Sequence, residues 1–240
     1  MKKALLIIVF IGLIFLTVGG IVLAVAIKND AFKIDYIENT YEVEDEYNSI
    51  VVDSTIGDIN ILVADVTNTT IETKESEDYK FNFIVQDNTL KISEDKKKNK
   101  NWLDNLTIVG LAYKVTLTVP SKLYEKIDIK LTTGDVKLDG INADEVLIDG
   151  TTGDVKIYNT IANEKMYVDI TTGDIKIKAS DSKDIHIETT TGDIKGDILS
   201  GKSFTTDTTT GDISVPASID NGEICYLDTT TGDIKITITN

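Results

Sequence analysis

The segment TTGDIKI, Thr230 to Ile236, is the last of a series of near-copies, and no other feature constrains the fold as tightly. Aligned on the glycine, the series runs Gly134, Gly153, Gly173, Gly192, Gly211 and Gly232, in steps of 19, 20, 19, 19 and 21 residues. Periods of that size are the signature of stacked repeats. A looser copy, STIGDIN, surrounds Gly57, 77 residues before Gly134 and close to four further steps of 19.

The columns around the glycine say what is stacked. Five residues before it stand Val52, Ile129, Ile148, Val168, Ile187, Thr206 and Leu227, and two after it Ile59, Val136, Val155, Ile175, Ile194, Ile213 and Ile234. The columns seven before and four after are also largely apolar. Alternation of period two on both sides of the glycine is a strand pattern, not a helical one. Gly-Asp sits where the alternation slips by one residue. Glycine reaches backbone conformations closed to other residues and so turns the chain. The aspartate that follows is expected to bond nearby backbone amides within the turn. The threonine before each glycine, from Thr133 to Thr231, is expected to face inward and bond along the stack. Acidic residues four before the glycine and lysines three after it are expected to face water.

The expected fold class is therefore all-β, a β-solenoid of 19–21-residue coils preceded by one N-terminal transmembrane helix. A hairpin array with TTGD at each tip is the alternative. Its tips would read Gly-Asp, the reverse of the Asp-Gly preferred in tight hairpins.

Residues 1–3 read as a short cytoplasmic N-terminus and 4–27 as a membrane anchor. Ala4 to Ile27 is an uncharged run of 24 residues. As a helix it would be about 36 Å long, enough to cross a bilayer. Lys2 and Lys3 keep the N-terminus inside, which places the remainder outside the membrane. Ala24-Val25-Ala26 also allows a cleaved signal peptide. Residues 28–45 read as linker and first strand, 46–125 as an irregular β-rich part, and 126–240 as the regular repeat. The irregular part is expected to supply earlier, longer coils or a capping sheet.

Composition closes off most chemistry. The net charge is −16 and every basic residue is lysine, so a nucleic-acid partner is not expected. Cys225 is the only cysteine and His186 the only histidine, which leaves no intrachain disulfide and little histidine or zinc chemistry. His186 reads as a surface residue and Cys225 as a buried apolar one. Carboxylates recur at equivalent positions in almost every repeat, a structural pattern rather than a catalytic pair, so no enzyme and no cofactor are expected. The aspartates after the glycines, Asp135, Asp154, Asp174, Asp193, Asp212 and Asp233, could form a calcium ladder or simply satisfy their turns. Between Glu94 and Ala112 lies a Lys-rich loop carrying Lys96, Lys97, Lys98, Lys100 and Trp102. It could touch lipid headgroups, a cell-wall polymer or an envelope protein, or fold back as a cap on the core. The missing disulfides suit a Gram-positive envelope.

An N-terminal anchor, a VTLTVP stretch at Val115 to Pro120 and serial TTGD-[IV]-K-[IVL] repeats resemble the bacterial putative-adhesin family over residues 35–240. That resemblance implies a β-solenoid outside the membrane with no established enzymatic activity. It implies no catalytic or ligand residues. Some relatives lie near envelope-stress-response genes, which implies a second role as a regulatory or sensory accessory protein.

Overall fold

The computed structural model describes residues 35–96, 113–220 and 222–239. The expected anchor at 4–27 lies outside the described residues, as do Lys97, Lys98, Lys100 and Trp102. Among the described residues every regular element is a strand. The insertion-bearing part holds β1 (Ile37–Val43), β2 (Ser49–Ile56), β3 (Asp58–Ala64), β4 (Thr69–Glu75), β5 (Tyr79–Gln86), β6 (Thr89–Lys96) and β7 (Lys114–Pro120). The regular part holds β8 (Leu123–Thr133), β9 (Val136–Asp139), β10 (Asn142–Thr152), β11 (Val155–Tyr158), β12 (Ile161–Thr172) and β13 (Ile175–Thr191). Then come β14 (Ile194–Ile198), β15 (Ser203–Thr210), β16 (Ile213–Ser214), β17 (Ile224–Thr231) and β18 (Ile234–Ile238).

Two sheets share one core. In β8, Ile127, Ile129 and Leu131 are buried while Lys130 between them is exposed. After the corner, Val136 and Leu138 are buried in β9. Each such aliphatic side chain contributes roughly 1.5–3 kcal/mol by burial. A coil is thus one strand of the long sheet, a Gly-Asp corner, and one strand of the short sheet. Coils pair in parallel, column on column: Val146 with Ile127 and Met166, and Val155 with Val136 and Ile175. The hairpin-array alternative fails here, because identical positions pair in register between parallel strands. The fold is β-solenoid-like.

Gly57 is not four coils away from Gly134. β2 pairs directly with β8 and β3 with β9, so the coil of Gly57 is the immediate neighbour of the coil of Gly134. Of the residues between them, β6 and β7 stack in parallel on the far sides of β2 and β3, so that the Gly57 coil is flanked on both sides. β5 and β6 form an antiparallel hairpin beside β2, turning at Asp87 and Asn88, which both take positive φ (51° and 60°). β4 runs antiparallel to both β7 and β1 at the matching end of the short sheet. The presumed loop also begins later than Glu94: β6 runs to Lys96, and Glu94 accepts hydrogen bonds from Thr55 and from the Tyr79 hydroxyl.

The last two coils are stacked out of chain order. β13 pairs with β17, and β17 with β15; likewise β14 pairs with β18, and β18 with β16. The chain leaves β14, skips one position, builds the coil of Gly211 on the outside, and returns to fill the vacant position with the coil of Gly232. Lys202 stands at the skip. Its side chain is fully buried, and its ammonium reaches Asp181 at 2.7 Å, Glu223 at 2.6 Å and the Ser182 carbonyl at 2.6 Å. A buried ammonium needs such partners, since an unpaired one would be prohibitive.

Candidate functional site

The repeated corner is the first place to look, and its chemistry is spent internally. The glycines from Gly134 to Gly232 in the series have φ between +141° and +153°. A Cβ on any of them would stand 1.9–2.3 Å from the glycine carbonyl oxygen of the next coil. Only glycine fits, both for its own torsion and for its neighbour. The aspartates do not bond within their own turns. Each Oδ1 accepts the backbone N–H of the aspartate in the adjacent coil: Asp58 from Asp135, Asp135 from Asp154, Asp154 from Asp174, and Asp174 from Asp193. The series continues from Asp193 to Asp233 and from Asp233 to Asp212, all at 2.7–3.0 Å. The Asp233 N–H and the Lys195 ammonium hold the Asp193 carboxyl below the usual carboxylate range. The calcium reading therefore meets carboxylates already engaged along the stack. Among the described residues no group of three or more His, Cys, Asp or Glu side chains is arranged to hold a metal.

The threonines correct another expectation. Thr133, Thr152, Thr172, Thr191, Thr210 and Thr231 are exposed. The inward position is three before the glycine, where Thr189 and Thr229 are buried. Their hydroxyls donate to the carbonyls of Gly173 (3.3 Å) and Gly192 (2.9 Å). The alternation slips across the Thr-Thr pair, ahead of the glycine, because the corner turns both threonines out to water. Lysines of the outward column reach the aspartates, as Lys195 reaches Asp193 at 2.5 Å, but such exposed pairs are worth little.

Two features break the repetition. On the outer face of the long sheet, Tyr167, His186 and Tyr226 stack, with ring centroids 5.1 and 4.5 Å apart. Their polar tips meet the neighbouring acidic column: Tyr167 with Asp169, His186 Nε2 with Glu188 at 2.9 Å, and Tyr226 with Asp228 at 2.9 Å. His186 thus faces outward, as its column implies, and forms a half-buried rung of this stack. The ladder was invisible along the chain, where Thr205 separates His186 from Tyr226; the exchanged coil order removes it. Cys225 is buried, as expected from its column, and burial pushes its thiol up to about 12.

The second feature is a groove of about 600 Å³ at the β1–β5 end of the stack. Tyr41 and Val43 of β1, Phe81, Phe83 and Val85 of β5 and Leu90 of β6 line it, with Glu42, Glu44 and Asp45 at its rim. Tyr41 and Phe83 touch across it at 5.2 Å between centroids, yet Tyr41 remains 40% exposed. β1 pairs with β4 and β5 with β6; among the described residues neither has a strand on its other side. In the sequence, alternation within YKFNFIV (Tyr79 to Val85) and TLKISE (Thr89 to Glu94) hints at β5 and β6, and β1 lies within 28–45, read as linker and first strand, but nothing local says which sheet each joins.

A parallel two-sheet stack whose corner glycines and aspartates are committed to neighbouring coils defines a β-solenoid-like domain. The profile of the Toastrack family, DUF4097, matches residues 47–240, and the chain belongs to that family. Among solved structures it is similar to a putative cell adhesion protein from Clostridium sporogenes (13% identity, 85% of this chain and 100% of the other, TM-score 0.49). It is also similar to a putative adhesin from Bacteroides fragilis (17% identity, 85% and 97%, TM-score 0.38). A putative lipid binding protein from Parabacteroides distasonis is a third (16% identity, 83% and 96%, TM-score 0.32). No curated protein matches the sequence.

Proposed function

We propose that the chain is a non-enzymatic, adhesin-like interaction module of the cell envelope, held at the membrane by residues 4–27 with the β-stack outside. The observation that carries this is the division of labour among its side chains. Corner aspartates bond the backbone of the adjacent coil, and Thr189, Thr208 and Thr229 bond glycine carbonyls there, whereas the outer aromatic ladder and the end groove have surface to spare. Membership of the Toastrack family agrees with a scaffold of this kind. Cell-wall polymer, lipid headgroups or another envelope protein are the partner classes, the Lys-rich loop being a second contact.

Display of the full chain on a non-adherent host tests the reading. Retention of those cells on isolated wall polymer, anionic vesicles or envelope protein should exceed that of cells displaying an unrelated anchored domain. Equal retention on all three surfaces would reject the reading.

A further inference from the structure

Among the described residues, the groove between β1 and β5 brings three complementary features together. It has a strand edge with no neighbour among the described residues, an apolar floor and an acidic rim. β1 presents Tyr41 and Val43 inward, where Phe83 and Val85 of the opposite sheet leave about 600 Å³ unfilled. That volume lies within the range of ligand-binding clefts, roughly 300–1,000 Å³. Glu42, Glu44 and Asp45 follow one another at the mouth with no lysine among the groove's lining residues. At the other end of the stack the outer edge is partly occupied. There the side chain of Ser218 bonds both the N–H and the carbonyl of Phe204 at the start of β15, covering part of that edge.

We infer that this groove is a strand-acceptor site for an extended, lysine-bearing peptide segment of a partner protein. The segment would add to β1 as a further strand. Its backbone would pair with the free edge, alternate apolar side chains would enter against Tyr41, Val43 and Phe83, and its lysines would meet Glu42, Glu44 and Asp45. Strand addition derives affinity from main-chain hydrogen bonds and specificity from pockets for alternate side chains. Side chains of a strand alternate between faces, so one peptide supplies the apolar and cationic rows together. The acidic rim selects against acidic segments and makes association sensitive to salt. This inference rests on the reading of the chain as an interaction module and names the chemistry of one of its partners.

The test uses the full-length chain in nanodiscs and a short labelled peptide alternating valine with lysine, followed by fluorescence anisotropy. The lysine peptide should bind. Its counterpart alternating valine with glutamate should not, and the lysine peptide N-methylated at alternate residues should lose binding because it can no longer pair along an edge. The variant carrying Glu44→Lys and Asp45→Lys alters exposed residues only and should weaken binding about tenfold or more, with the loss diminishing as salt is raised. Hydrogen exchange should show new protection in β1. Equal binding of the N-methylated or the glutamate peptide would overturn the inference. So would protection appearing at β15 in place of β1, or protection of β1 that depends on protein concentration without peptide, which would make a second copy the occupant. If displayed cells adhere but the peptide does not bind, the groove assignment alone fails. If the peptide binds but no envelope surface retains the cells, the adhesin reading alone fails.

Discussion

At Gly173 an added methyl group would meet the Gly153 carbonyl oxygen at 2.0 Å, with the backbone held at a φ of +146°. Gly173→Ala combines torsional strain with an immovable backbone neighbour and should cost roughly 3 kcal/mol or more, measured by urea unfolding. Gly57 heads the same column, but its nearest contacts are at 3.2–3.3 Å and two of them are side-chain atoms. Gly57→Ala should therefore cost clearly less. Asp174→Ala deletes the acceptor for the Asp193 N–H and should cost about 1 kcal/mol, whereas Asp174→Asn keeps an acceptor oxygen and should cost less. The pH dependence follows from Asp193, whose folded pKa is depressed. Its contribution is present above the unfolded carboxylate pKa, about 4, and is lost as pH falls through the folded value. Thermal melting from pH 6 down to strong acid should show a loss confined to the acid side, smaller in Asp193→Asn.

Among the elements, the outermost coil is held by Lys202. Lys202→Met removes the cation while leaving Asp181, only 14% exposed, without its partner. Breaking a buried pair from one side costs about 3–5 kcal/mol, and the exposed Glu223 adds little to that figure. Hydrogen exchange of β15 and β16 should accelerate first. The Cys225 thiol reports on the same region: burial makes it unreactive, so alkylation in native conditions should be slow in the parent chain and faster in Lys202→Met. At the other end, deleting 97–112 should preserve the β-rich circular dichroism. Deleting from Glu94 should not, because Glu94 lies in β6 and bonds Thr55 and Tyr79.

For the whole molecule, the exchanged order makes the last coil an internal one. Removing residues 224–240 would empty a position between the coils of Gly192 and Gly211. Trimming a true end repeat would cost a single interface, since stack stability is close to a sum over neighbours. Here two interfaces go, so the melting temperature of the truncated chain should fall far more than one terminal coil accounts for. Calcium offers a second whole-molecule test. With every corner carboxylate but that of the outermost Asp212 turned onto an adjacent N–H, added calcium should leave the melting temperature unchanged; a rise would restore the ladder reading.

How much of this was legible in the sequence differs by feature. The period, the strand character, the corner at Gly-Asp and the burial of columns such as Ile129 and Val136 were readable, because all arise from alternation and torsion within one coil. The inward position of Thr189 and Thr229 rather than Thr191 and Thr231 was not, since the slip occurs across two residues of the same type. Neighbour identity was not readable either. Every coil offers the same hydrogen-bonding columns to the next, so the repeat specifies how coils stack but not which one comes next. That order was decided by pieces that do not repeat: Lys202 and its partners at the skip, and residues 65–122, whose β6 and β7 stack beyond the Gly57 coil while β4 and β5 run antiparallel beside them. The Tyr167–His186–Tyr226 ladder and the β1–β5 groove both follow from it. By itself the sequence determined the coil; tertiary structure alone decided the order of the coils and the surfaces they leave open, because contacts between distant, near-identical segments are chosen by the few residues that differ.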